Sequence, residues 1–174
     1  MKAIIRDILL ALLLALAISL LIRPTIVKEI SMMPSLQEGN YLMISKQAYR
    51  FGDVARDDII VFHSELMDEA GKEKLLIKRI IGIPGDVLTI TNGRVYRNGY
   101  RIQEPYIMGG IEGDTSGELY NYVVPEGFVF VMGDNRNISD DSRYSEIGMV
   151  KLDAVIGKVI LRFYPLNAVT SQFT

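Results

Sequence analysis

Hydrophobic and polar positions divide the chain into one long apolar run and a series of short ones. Ile8 to Ile22 is apolar except for Ser19, with Lys2 and Arg6 before it and Arg23-Pro24 after it. A helix of that length spans roughly 22 Å, against about 30 Å of bilayer hydrocarbon. Ala3-Ile4-Ile5 extends the run if Arg6 snorkels to the interface and pairs with Asp7. No polar face divides Ile8–Ile22, which disfavours a buried helix of a soluble core. A cleaved secretory signal wants small residues where its apolar run ends; Leu20, Leu21 and Ile22 stand there instead. The expectation is a retained anchor over residues 1–25. Lys2 and Arg6 nearly balance Arg23 and Lys28, so charge alone leaves its orientation open.

Beyond the anchor the apolar runs are short and rich in β-branched residues. Ile26–Ile30 is predicted extended, leading into Ser31. A turn at Leu36–Asn40 precedes a strand over Tyr41–Ser45, and Ile59–Phe62 has the length and composition of a buried strand. Ser64–Lys74 is polar and predicted to be a loop. Leu75–Ile83 is a further strand, closed by Pro84-Gly85-Asp86, in which successive Lys78 and Arg79 point to opposite faces. One of these charges must therefore meet apolar company. Asn92-Gly93 and Asn98-Gly99 are hairpin signals within a β-meander. Gly109–Gly117, glycine-rich, is predicted to be a mobile loop, with more strand over Val123–Val131 and a last strand over Val155–Tyr164. The fold expected is mainly β, preceded by one transmembrane helix. Residues 26–174 are expected to form one β-domain, with the meander and a small insert over 87–128.

Composition narrows the chemistry. The 174 residues carry a net charge of −2, no cysteine and one histidine. Disulfides, thiolate nucleophiles and multi-histidine metal sites are excluded. No basic stripe supports nucleic-acid binding, and no metal or cofactor is expected. A hydrolase built from this chain needs a serine, threonine or carboxylate, and a serine needs a base. His63 is one candidate, but it ends a strand with no particular acidic partner in sequence. Lys78 is the better one. An amine acts as a base once desolvation lowers its pKa, and Leu75, Leu76, Ile77, Ile80 and Ile81 supply the apolar surroundings. Ser31 follows the anchor by only a few residues, between Pro24 and Pro34. The turn Gly133–Arg143 concentrates hydroxyls and carboxylates around two arginines; Ser139 in it is placed to orient a neutral lysine.

Three motifs occur in order: Ser-Met-Met-Pro-Ser-Leu (31–36), Lys-Arg-Ile-Ile-Gly-Ile-Pro-Gly-Asp (78–86) and Gly-Asp-Asn-Arg-Asn-Ile-Ser-Asp-Asp-Ser-Arg (133–143). Together they resemble the bacterial type I signal peptidases, membrane-bound Ser–Lys endopeptidases, in a compact Gram-positive-like form. Asp57–Phe62 resembles a fourth family segment. The resemblance implies Ser31 as nucleophile and Lys78 as general base. Ser139 matches the serine that hydrogen-bonds the lysine, and Asp141 with Arg143 a supporting ion pair. It implies a β-fold shared with LexA-type repressors and a domain on the extracytoplasmic face of the cell membrane. The implied substrates are exported preproteins with small residues at −1 and −3. Val27, Met32, Leu36, Leu76 and Ile77 would line apolar subsites, with the peptide added as a strand. The position two before the nucleophile, where some members carry a hydroxyl donor, is Glu29, and a carboxylate does not donate to an oxyanion. Two other readings are a LexA-like self-cleaving regulator and an inactive anchored domain that binds signal peptides.

Overall fold

The computed structural model describes residues 2–49, 52–68, 70–107 and 118–173. Helix α1 covers Lys2–Leu21, built from the strong helix formers Ala and Leu with Ile, and buries no residue against the rest of the chain. It is long and apolar enough to cross a membrane. Pro24 disfavours helix at the residue before it, and the sheet begins at once: β1 is Ile22–Ile26. The helix of the anchor expected over residues 1–25 therefore ends at Leu21, and strand begins at Ile22. Pro24 is tolerated because β1 is an edge strand, paired only to β2.

A seven-stranded antiparallel sheet forms the frame. Its order is β1, β2 (Tyr41–Ser45), β11 (Val155–Tyr164), β3 (Ile59–Met67), β4 (Glu73–Gly82), β9 (Phe128–Met132) and β10 (Val150–Lys151). Strands β5 (Val87–Thr91), β6 (Arg94–Arg97), β7 (Tyr100–Arg101) and β8 (Leu119–Val123) make a second, four-stranded sheet. Both predicted hairpins are present. Asn92 and Asn98 take φ of 50° and 54° and each is followed by a glycine of positive φ, as a two-residue primed turn requires.

The stretch 64–74, expected to be a loop, is instead mostly strand: β3 continues through Met67 and β4 starts at Glu73. Ser64 is buried while His63 and Glu65 are exposed, so a two-faced strand carries polar residues on its wet side. Between the two strands Gly71 N–H donates to the Asp68 carbonyl at 2.9 Å. The predicted mobile loop at Gly109–Gly117 lies outside the described residues.

Alternation along β3 sorts the core. Ile59 and Val61 join Val27, Met32, Leu36, Leu42, Ile44 and Val159 in one cluster, and Ile60 and Phe62 join Leu76, Ile80, Val129, Val131 and Val150 in another. These two clusters lie on opposite faces of the large sheet, and a third joins β4 and β9 to the small sheet through Ile81, Leu88, Phe130 and Met132. The first cluster matters most for the site. Met32 and Leu36 are fully buried in it, so the turn that follows Ser31 is anchored by apolar packing.

Candidate active site

Three segments meet at Ser31: the turn after β1, the middle of β4, and the turn after β9. Lys78 Nζ lies 2.8 Å from Ser31 Oγ, and both residues are buried. Lys78 is 1% exposed, with Ser31 Oγ the hydrogen-bond partner of its amine among the described residues. Burial pushes its pKa below the ordinary lysine value. The charges of Asp141, Glu29 and Asp140 pull it back up, and Arg143 pushes it down.

The turn after β9 holds Ser31 from the other side. Asn135 N–H donates to the Ser31 carbonyl at 3.0 Å, and Asn135 Nδ2 to the Ile30 carbonyl at 3.3 Å. Gly133 makes this approach possible. A Cβ there would stand 2.2 Å from Ser139 Oγ and 2.5 Å from the Ser31 carbonyl oxygen. Asp141 accepts the Gly133 N–H at 3.0 Å and Arg143 Nε at 2.8 Å, while Arg143 Nη2 donates to the carbonyls of Arg136 and Ser139. This buried pair thus fixes the backbone of the turn.

Ser139 differs from the expectation. Its Oγ is buried beside Gly133 and has no hydrogen-bond partner among the described residues. The expected bond to Lys78 is not made; the lysine amine is turned to Ser31.

A groove of about 470 Å³ opens beside the pair, walled by Val27, Met32, Val61, Leu75 and Ile77. Its walls are strand edges. Among the described residues one edge of β1 has no strand neighbour, and β9 pairs with β4 only over Arg79–Gly82, leaving Glu73–Lys78 without one on that side. Of the predicted subsite residues, Val27, Met32 and Ile77 line the groove. Leu36 and Leu76 do not: their side chains are buried in the clusters on the two faces of the large sheet. Glu29 also lines the groove, its carboxylate 3.6 Å from Lys74 Nζ. His63 is half-exposed and its Nδ1 lies 3.1 Å from Glu73. That carboxylate partner comes from the facing strand, which its sequence neighbourhood does not show.

Residues 1–164 match the signal peptidase family, peptidase S26. The chain belongs to this family. A signal peptidase I of Bacillus caldolyticus is 40% identical over 158 residues, covering 85% of this chain and 82% of that protein. A probable signal peptidase I-1 of Synechocystis is 38% identical over 164 residues, covering 90% and 81%. The crystal structure of a signal peptidase I from Enterococcus faecalis, 34% identical, aligns with a TM-score of 0.48 over 62% of this chain and 97% of that one. By family and by these sequence relatives, the protein is a signal-peptide-processing serine endopeptidase.

For a signal peptidase, sequence reasoning left several residues of this neighbourhood unassigned. Arg79 donates to both carboxylate oxygens of Asp134 at 2.8 and 2.7 Å, and also to the Asp57 carbonyl, Ser35 Oγ and the Phe173 carbonyl. Its guanidinium lies 3.9 Å from the centroid of the Tyr106 ring. Lysine and arginine adjacent in one apolar strand were the signal that both sides must be provided for. Asn135 carried no signal of its own, because its role depends on how two distant turns dock.

Proposed function

We propose that Ser31 is the acylating nucleophile and Lys78 its general base in an endopeptidase that removes signal peptides. The observation that carries this reading is the 2.8 Å approach of a buried amine to the serine hydroxyl. A neutral amine accepts a proton, and burial favours the neutral form. Ser31 Oγ attacks the scissile carbonyl as its proton passes to Lys78 Nζ. The resulting ammonium returns that proton to the leaving amine, which resets Lys78 as a base. Water then loses a proton to Lys78 and attacks the ester, and Ser31 leaves as the hydroxyl.

The oxyanion needs donors aimed at it. Ser31 N–H supports this role, since it makes no hydrogen bond among the described residues. Glu29, a carboxylate paired with Lys74, is not a donor. Asp141 and Arg143 hold the turn that grips the Ser31 carbonyl. Ser139, whose buried Oγ has no hydrogen-bond partner among the described residues, is the group that the family resemblance assigns to the lysine amine, and its free hydroxyl supports that role once Ser31 is acylated.

The two free strand edges support a substrate bound as an extended strand between β1 and β4. Val27, Met32 and Ile77 then form the apolar walls met by small side chains at −1 and −3. Helix α1 is the membrane anchor, and the domain lies on the extracytoplasmic face, where exported preproteins arrive. The test is preprotein processing by membranes carrying Ser31→Ala or Lys78→Ala. Each is expected to insert normally and to leave the precursor uncleaved; substantial cleavage by either variant overturns the dyad. Cleavage confined to the protein's own chain would point to the self-cleaving regulator.

A further inference from the structure

The junction between α1 and the catalytic domain is closed by side chains that the proposed chemistry does not use. An α-helix ends with four carbonyls lacking intrahelical partners and with the negative end of its dipole. Helix α1 has no basic residue in its last turn, and Ile22, the first residue of β1, follows it directly. Its last carbonyls are taken instead by the segment that follows β2. Lys46 Nζ donates to the Ser19 carbonyl at 3.2 Å, Lys46 N–H to the Leu21 carbonyl at 2.9 Å, and Gln47 Nε2 to the Leu20 carbonyl at 3.5 Å. Three consecutive carbonyls are thus held by the two residues that follow β2, the two side-chain bonds each spanning 27 positions of sequence. The register continues into the sheet, with Ile22 paired to Ser45. No flexible linker separates helix and sheet, and the lysine places its positive charge at the negative end of the dipole.

We infer that Lys46 and Gln47 are positioning residues that lock α1 to the β1–β2 pair, so that the anchor and the catalytic domain move as one body. The inference rests on the peptidase reading of Ser31 and Lys78 and adds a spatial requirement to it. Strand β1 carries the chain roughly 17 Å from the end of the helix, and the turn bearing Ser31 follows within a few residues. A locked junction therefore fixes the height of Ser31 relative to the bilayer. For a membrane-inserted preprotein, that height selects which peptide bond reaches the nucleophile.

Two readouts on full-length protein in liposomes test this. The first needs no catalysis. The chain has no cysteine, so Tyr100→Cys, at a position 80% exposed on the small sheet, accepts a single fluorophore. Energy transfer to acceptors in the lipid surface then reports the distribution of heights. A narrow distribution is expected for the otherwise unchanged protein. A broad one is expected for Lys46→Ala/Gln47→Ala and for a Gly-Ser-Gly-Ser insertion between Leu21 and Ile22, with Lys46→Arg staying narrow. The second readout uses preproteins whose cleavage site is displaced residue by residue from the apolar segment. Loss of two net hydrogen bonds is expected to reduce the ratio of best to worst substrate on the order of five- to tenfold in the double variant. Hydrolysis of a soluble peptide in detergent should stay unchanged.

Equal height distributions and equal discrimination in all variants overturn the inference. So does loss of soluble-peptide hydrolysis in the double variant, which would make these residues part of the general fold. Failure of the unchanged protein to cleave any peptide would count against the peptidase reading instead, and leaves the height measurement standing.

Discussion

Lys78 and Arg79 are neighbours on one strand, both cationic residue types and both buried, yet their surroundings differ in kind. Arg79 meets a carboxylate at both oxygens, two carbonyls, a hydroxyl and an aromatic face. That set satisfies a planar guanidinium that keeps its charge. Lys78 meets one hydroxyl and apolar walls, with Asp141 the largest of the charges that favour its ammonium form. Burial is common to the two; the partners decide whether a buried cation becomes a brace or a base. The brace also serves the base, because Arg79 ties β4 to Ser35 on the nucleophile's turn and to Asp134 beside Asn135.

Exchanging roles between the two positions is the strongest way to break this contrast. Lys78→Arg places a permanent charge where a neutral base is needed. Processing is expected to fall on the order of 10³-fold or more, as for Ser31→Ala, in a protein that still inserts and folds, checked by preprotein cleavage and circular dichroism. A Lys78→Arg variant with near-normal turnover would show that proton acceptance lies elsewhere.

Stability should respond in the opposite order. Arg79→Leu leaves the Asp134 carboxylate buried without its cation, at a cost of about 3–5 kcal/mol, read as a lowered midpoint in urea. Arg79→Leu/Asp134→Leu should recover much of that loss. Lys78→Met, by contrast, should match or exceed the unchanged protein at neutral pH. The sign follows from the lowered folded pKa of Lys78. Folding is favoured as pH rises from that value toward the unfolded one, and below it the burial cost is fully present. Replacing the amine with a thioether removes that cost.

A smaller effect is expected at Gly133, where any Cβ meets Ser139 and the Ser31 carbonyl. Gly133→Ala should lower kcat by about 10- to 100-fold, in line with a slight misplacement of reacting groups, with KM much less affected. Smallest is Glu29→Gln. Glu29 raises the Lys78 pKa, so its neutralisation should move the acid limb of kcat/KM to lower pH. A limb that moves upward would contradict the electrostatic account.

How legible this was in the sequence depends on the range of the interactions involved. Strands Tyr41–Ser45 and Val155–Tyr164 and the two Asn-Gly hairpins follow from local patterning, and they stand where the pattern puts them. The polar outer halves of β3 and β4 look like loop in the sequence because their exposed faces mask the alternation. Ser31 and Lys78 could be singled out as residue types suited to the chemistry, but 47 positions separate them and no local rule brings them to 2.8 Å. Leu36 and Leu76 show the complementary limit. Being apolar near a motif says nothing about which face of the sheet a side chain joins. The chemistry of its turn and the family resemblance both point Ser139 at the lysine, whereas its Oγ lies beside Gly133 with no hydrogen-bond partner among the described residues.

The account turns on Ser31 forming an ester with Lys78 neutral. An acylating inhibitor of serine peptidases, followed by mass mapping of the adduct across pH, measures this directly. The prediction is a single adduct on Ser31, formed with a rate that rises through a lysine-like transition lying below the ordinary lysine value, and absent in Lys78→Ala. An adduct on another residue, or undiminished labelling of Ser31 in Lys78→Ala, would contradict it.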